Sequence, residues 1–207
     1  VLKVAGAEKL AGKAGVEIDE AFVGSEIGNW HQSKRDKHAA TVRPERVRTY
    51  QNAFTHQTAV IGMLDRESRQ IRAKVVPNVR RKTLQKEIIG TIEFGSKIYT
   101  DQAVAYTSLK DKYIHETVNH SVEYVNGQVH TNSLENFWSL LKRNLKGTYV
   151  AVEPFHLDRY LDEQVFRFNT CKSHNDSTRF QKALGQLNGK RLTWNELTGK
   201  DAASKGF

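Results

Sequence analysis

Three acidic residues stand out by the company they keep. Glu135 lies in His130-Thr-Asn-Ser-Leu-Glu-Asn-Phe-Trp-Ser-Leu-Leu-Lys-Arg143, a segment otherwise apolar, polar or basic. Asp19 lies in Val16-Glu-Ile-Asp-Glu-Ala-Phe-Val-Gly24, and Asp101 in Ser96-Lys-Ile-Tyr-Thr-Asp-Gln-Ala-Val-Ala-Tyr106. Carboxylates drawn from separate segments suit Mg2+ or Mn2+, and paired ions stabilise the attacking and leaving oxygens of a phosphoryl transfer. Neither spacing is decisive alone. Taken by itself, Asp101 at a strand-to-helix junction reads first as an N-cap.

The elements that must position these acids follow from hydrophobic periodicity. Leu134, Phe137, Trp138, Leu141 and Leu145 recur at helical spacing and predict a buried stripe, with Asn132 or Ser133 as the N-cap. Glu135 and Lys142 then share one side of the helix, about two turns apart, so one can meet a metal where the other meets a phosphate. Val16, Ile18, Phe22 and Val23 predict a first strand around Asp19. Residues 58–65 and 70–76 flank the polar Arg66-Glu-Ser-Arg69 and predict a hairpin, with Asp65 a structural turn residue.

Residues 82–92 carry Leu84, Ile88, Ile89 and Ile92 as the apolar face of a crossover helix leading to the Asp101 strand. A short helix is expected over 102–110, a fifth strand over 113–118 and a loop over 119–128. Thirty-three residues separate Asp101 from Glu135, room for a helix, a strand and the start of a second helix. The order predicts an α/β fold: a ribonuclease H-like mixed five-stranded sheet flanked by helices, with the three acids converging at one edge. Helices over 155–169 and 180–187 form a C-terminal helical extension, in which Asp158, Asp162 and Glu163 read as a solvated face or as partners of Arg159 and Arg167.

These segments, with Gly95-Ser-Lys-Ile-Tyr-Thr-Asp101, His115-Glu-Thr-Val-Asn-His-Ser121, Gly147-Thr-Tyr149 and His156-Leu-Asp-Arg-Tyr160, resemble the transposase domain of insertion-sequence family fifteen-ninety-five, also called ISXO-two-like. The likeness spans residues 13 to 199, with the motifs in family order. It implies a DDE transposase that cuts insertion-sequence ends to expose 3′ hydroxyls and joins them to target DNA with divalent metal. Asp19, Asp101 and Glu135 match the acidic triad, and Lys142 the basic residue that follows it. Family members typically begin with a zinc-ribbon module. This chain has one cysteine, Cys171, too few for a four-ligand site, so that module is expected to be missing. A second departure is Tyr149-Val-Ala-Val-Glu153, where relatives often carry histidines.

On this reading two Mg2+ or Mn2+ ions are held by Asp19, Asp101 and Glu135 while a water, and later a 3′ hydroxyl, attacks in line. His130 and Asn132 are candidates for supporting the triad from behind. The eight histidines lack a zinc-site spacing and read mainly as surface or hydrogen-bonded groups. Rival readings are a catalytically silent DNA-binding or assembly module, and a ribonuclease H-like nuclease without joining.

Composition agrees. A formal net charge of +9 and a pI near 9.6 favour a polyanionic partner, DNA. Lys142 and Arg143 are expected on its backbone. The basic insertion over 24–55 carries Trp30, Lys34, Arg35, Lys37, Arg43, Arg46 and Arg48, and reads equally as a solvated loop or as a DNA-contacting element in which Trp30 stacks on a base. The chain has no long apolar run, no secretory signal and too few cysteines for an internal disulfide; the expected location is cytoplasmic, at the nucleoid. Residues 1–15 read as a linker remnant, 16–150 as the catalytic domain and 151–207 as the extension. Handling two DNA ends together implies a homodimer.

Overall fold

The computed structural model describes residues 8–24, 31–33, 36–37, 57–101, 106, 109–118, 131–149, 152–189 and 191–198. The first strand, β1 (Val16–Val23), pairs antiparallel with β2 (Thr58–Asp65), which turns into antiparallel β3 (Ile71–Val76). Asp65 closes that hairpin as expected: its carboxylate accepts the Glu67 N–H at 3.1 Å and the Ser68 hydroxyl at 2.9 Å. Helix α1 (Arg81–Thr91) crosses over to β4 (Lys97–Asp101), parallel to β1, and β5 (Ile114–Val118) lies parallel beyond it. The sheet order β3-β2-β1-β4-β5 is the expected ribonuclease H-like mixed arrangement, with β1 at its centre.

Strand alternation sorts the core onto two faces. Val16, Ile18, Ile61, Met63 and Ile98 pack with Leu84 and Ile88 of α1 on one side. Val60, Leu64 and Ile71 pack on the other against α2 (Asn132–Gly147) and α3 (Leu157–Thr170), which follows a 3-10 turn at Pro154–His156. Leu134, Phe137, Trp138, Leu141 and Leu145 are the buried stripe of α2; removing an aliphatic or Phe side chain of this kind from water contributes about 1.5–3 kcal/mol.

Helix α3 covers the β3 edge. The Asn169 amide accepts the Ile71 N–H at 2.8 Å and donates to the Ile71 carbonyl at 2.9 Å, standing in for a further strand. Glu163 pairs with Arg167 at 2.8 Å, as expected, and also accepts from the Tyr149 hydroxyl at 2.7 Å. Helix α4 (Asp176–Gly185) begins four residues before the sequence expectation, because Asn175 caps it by accepting the Thr178 N–H at 2.9 Å. Helix α5 (Trp194–Thr198) was not anticipated.

Residues 8–15, within the segment expected as a linker remnant, are tied to the end of α1 and the turn that leads to β4. Leu10 is buried, donates to the Thr91 carbonyl at 2.8 Å and accepts from Glu93 at 3.0 Å. Of the expected 102–110 helix, Tyr106 and Leu109 are described and both are buried. The rest of it, apart from Lys110, and the 119–128 loop lie outside the described residues.

Candidate active site

Asp19 sits mid-strand in the central strand, half-buried, and Asp101 is the last residue of the neighbouring parallel strand. Val16 pairs with Ile98 and Glu17 with Tyr99. Carrying that register two residues further brings the Asp101 backbone level with Asp19, on strands about 4.8 Å apart. Two acids far apart in sequence therefore share one row of the sheet.

Helix α2 is fastened to the same strand at two points. The Glu17 carboxylate accepts the Leu134 backbone N–H at 3.0 Å, and the Trp138 indole N–H donates to Asp19 Oδ2 at 3.1 Å. Four residues of helix rise about 6 Å and two residues of strand about 6.6 Å, so the two bonds match without strain. Helix and strand run side by side in this stretch.

The rotation of α2 follows from its neighbours. Phe137 meets Phe168 of α3 edge-on, 5.4 Å between ring centroids, so that flank looks towards β3. Trp138 lies about 100° around the helix and reaches β1; Glu135, about 60° beyond Trp138, lies on the flank turned away from α3. Glu135 is exposed in the first turn of α2, one residue after the Glu17 tether. Lys142 is exposed on the same flank as Glu135, whereas Arg143, also exposed, is turned about 100° away.

Glu17 was overlooked in the sequence. It is fully buried, and its other oxygen accepts from Arg66 Nε at 2.8 Å. Arg66 in turn stacks over the Tyr99 ring, 4.0 Å to its centroid. The cap on α2 is accordingly not the expected Asn132 or Ser133. Thr131 holds the N-cap position without a side-chain bond, Asn132 is the first helical residue, and the Leu134 N–H is shared between the Thr131 carbonyl and the glutamate of another element, each at 3.0 Å. A buried anion at a helix N-terminus is also favoured by the helix dipole.

On the opposite face of the sheet, Thr100 Oγ1 and His115 Nε2 lie 2.7 Å apart, with Tyr106 edge-on to the imidazole. Burial, then the charge of Lys110, lowers the His115 pKa from its ordinary value. The Tyr106 hydroxyl donates to Glu20. His115 is thus a hydrogen-bonded side chain beneath the end of β4.

The donor set suits a hard divalent ion: Asp19, Asp101 and Glu135 offer oxygen. Among the described residues no three His, Cys, Asp or Glu side chains gather to hold a metal, and Asp101 enters here by its backbone.

The model of the ISXO2-like transposase domain matches residues 9–169. The chain belongs to this family. No curated protein matches the chain significantly. Among solved structures, the BIV integrase catalytic core domain is similar at 13% identity over 84% of this chain and 96% of that chain, TM-score 0.47. The HTLV-2 integrase catalytic core domain in complex with magnesium is similar at 13% identity over 85% and 99% of the two chains, TM-score 0.43.

In this ISXO2-like domain, the expected DNA contacts divide by location. Lys37 is exposed in a helical stretch, while Trp30, Lys34, Arg35, Arg43, Arg46 and Arg48 lie outside the described residues, as does His130. Asn132 is exposed on the first turn of α2, three residues before Glu135. No helix among the described residues is long and apolar enough to cross a membrane.

Proposed function

We propose that this transposase-family domain is a DDE catalytic domain that cleaves DNA at insertion-sequence ends and joins the freed 3′ hydroxyls to target DNA. The observation that carries the reading is the common row of Asp19 and Asp101 on adjacent parallel strands, with the Glu135 helix fastened alongside by bonds to Glu17 and Asp19. Asp19, Asp101 and Glu135 are the residues that would hold Mg2+ or Mn2+. Bound there, two such ions would neutralise charge on the attacking and leaving oxygens of an in-line displacement.

The chain's own residues supply position and charge. Glu17 and Arg66 hold the start of α2 so that Glu135 stays beside the strand acids. Lys142 is placed to meet a backbone phosphate near the scissile bond, with Arg143 and the 24–55 basic insertion gripping DNA further out. Asn132 and His130 support the triad. The unit proposed for catalysis is residues 16–150, with 151–207 as its helical extension, working as a homodimer on two element ends in the cytoplasm.

The test is cleavage and joining of a labelled, pre-nicked element-end duplex with Mn2+, comparing the chain with Asp101→Asn and Glu135→Gln. Products from the chain alone, with binding retained in both variants, support the proposal. Cleavage that survives Glu135→Gln sinks the assignment. Cleavage without joining leaves a nuclease, and binding without chemistry in any of the three leaves an assembly module.

A further inference from the structure

The sequence gives Trp138 a place in the buried stripe of α2, and packing alone accounts for its ring. Packing does not account for its nitrogen. Nε1 donates to Asp19 Oδ2 at 3.1 Å, on the acid carried by the central strand. An indole N–H is a donor and nothing else, so a carboxylate is a fitting partner and the bond has one sense.

A second observation concerns the path the ring takes. Asp19 pairs across β1 and β2 with Gly62, the one residue of β2 that has no side chain. A Cβ on Gly62 would come 2.7 Å from Trp138 Cζ2 and 2.9 Å from Cη2, and 3.1 Å from Leu134 Cδ1. The gap in β2 is therefore filled by the ring whose nitrogen touches Asp19. The neighbouring positions Ile61 and Met63 point into the opposite core, so Gly62 is the position on this face where a side chain would displace the indole.

We propose that Trp138 is a positioning residue for Asp19, its indole N–H fixing the carboxylate in the rotamer that meets the divalent cation, with Gly62 keeping the ring's path clear. This rests on the triad reading above and adds a residue that does not itself touch metal or DNA. A hydrogen bond that orients a metal-ligating side chain typically changes metal affinity by about 10–100-fold. Phe at this position keeps most of the packing and removes the donor.

The experiment is Mn2+ binding to the 207-residue chain, followed by water-proton relaxation, for wild type, Trp138→Phe and Asp19→Ala. Wild type binds; Asp19→Ala loses the site; Trp138→Phe, with unchanged circular dichroism and cooperative unfolding, binds about tenfold more weakly. Unchanged affinity in Trp138→Phe, with Asp19→Ala still defective, overturns the positioning role and leaves the triad standing. Wild type that binds no Mn2+, or Asp19→Ala that binds normally, overturns the triad reading and this inference with it. Should Trp138→Phe fail to fold, the wild-type indole N–H signal decides. It is assigned by elimination with Trp30→Phe and Trp194→Phe. Titration with Mg2+ must move it with the midpoint of metal binding, and a signal that stays still at saturation overturns the proposal.

Discussion

Glu17 and Leu134 stand 117 residues apart in the chain, and the carboxylate of the first accepts the backbone N–H of the second at 3.0 Å. The bond ties the start of α2 to the central strand. Since Glu135 is the next residue, the same bond sets how far along β1 that acid can sit. A charge buried this deeply is tolerable because Arg66 Nε neutralises it at 2.8 Å and the helix terminus takes its second oxygen.

Removing one partner breaks the ion pair around a fully buried carboxylate. Glu17→Ala is expected to destabilise the fold by about 3–5 kcal/mol in urea unfolding, and Arg66→Ala by a comparable amount, because each breaks that pair. The double variant should lose less than the sum, with a coupling of about 0.5–3 kcal/mol. Strict additivity would mean that the two residues act separately.

A second tether guards the edge of the sheet. Asn169→Ala withdraws the partners of both Ile71 backbone groups at once, on a residue that is itself fully buried. The expected loss is about 1–3 kcal/mol. Amide hydrogen exchange gives the specific signature: the Ile71 N–H should lose protection ahead of the central strand β1, and unchanged exchange there would refute the role.

The His115 imidazole gives a pH dependence of known sign. Burial first, and Lys110 second, lower its folded pKa below the ordinary value near 6.5, so the folded state prefers the neutral ring. As pH falls below about 6.5 the unfolded chain takes up a proton that the folded chain resists, and stability is lost until the folded pKa is passed. Other groups face the same site, namely Tyr106, Glu20 bonded to it, and Thr100. The measurement is therefore a difference: the urea midpoint between pH 7.5 and 5, wild type against His115→Phe, with the acid-side decline expected to be shallower in the variant.

Periodicity made much of this legible. The buried stripe of α2 and the alternation of β2 are local patterns, and the hairpin turn carries its own chemistry in Asp65 and Ser68. Glu17 was illegible for a physical reason. In a half-exposed strand its alternation with Val16 and Ile18 marks a solvent face, but β1 is central and covered on both sides, which only the assembled sheet reveals. The Trp138 bond depends on the β1–β2 register that sets Gly62 opposite Asp19. The α2 cap was misplaced because its acceptor comes from another element rather than from the neighbouring Asn132 or Ser133. Asn175, by contrast, was a local capping signal that the apolar pattern of the following helix obscured.

The proposed DNA contact has a measurable electrostatic fingerprint. Lys142 shares the flank of Glu135, and Lys146, four residues on, is exposed on nearly the same side, whereas Arg143 is turned about 100° away. Each phosphate neutralised contributes about 0.9 to the slope of log K against log salt on duplex DNA. Lys142→Ala should therefore lower that slope by about 0.9 in fluorescence anisotropy titrations, evenly across DNA sequences, since a backbone contact carries no base information. Lys146→Ala should follow in the same direction, and Arg143→Ala should change the slope less. A larger effect from Arg143 than from Lys142 would mean that DNA runs over the other flank of α2, away from Glu135, and would separate the basic surface from the acids it is proposed to serve.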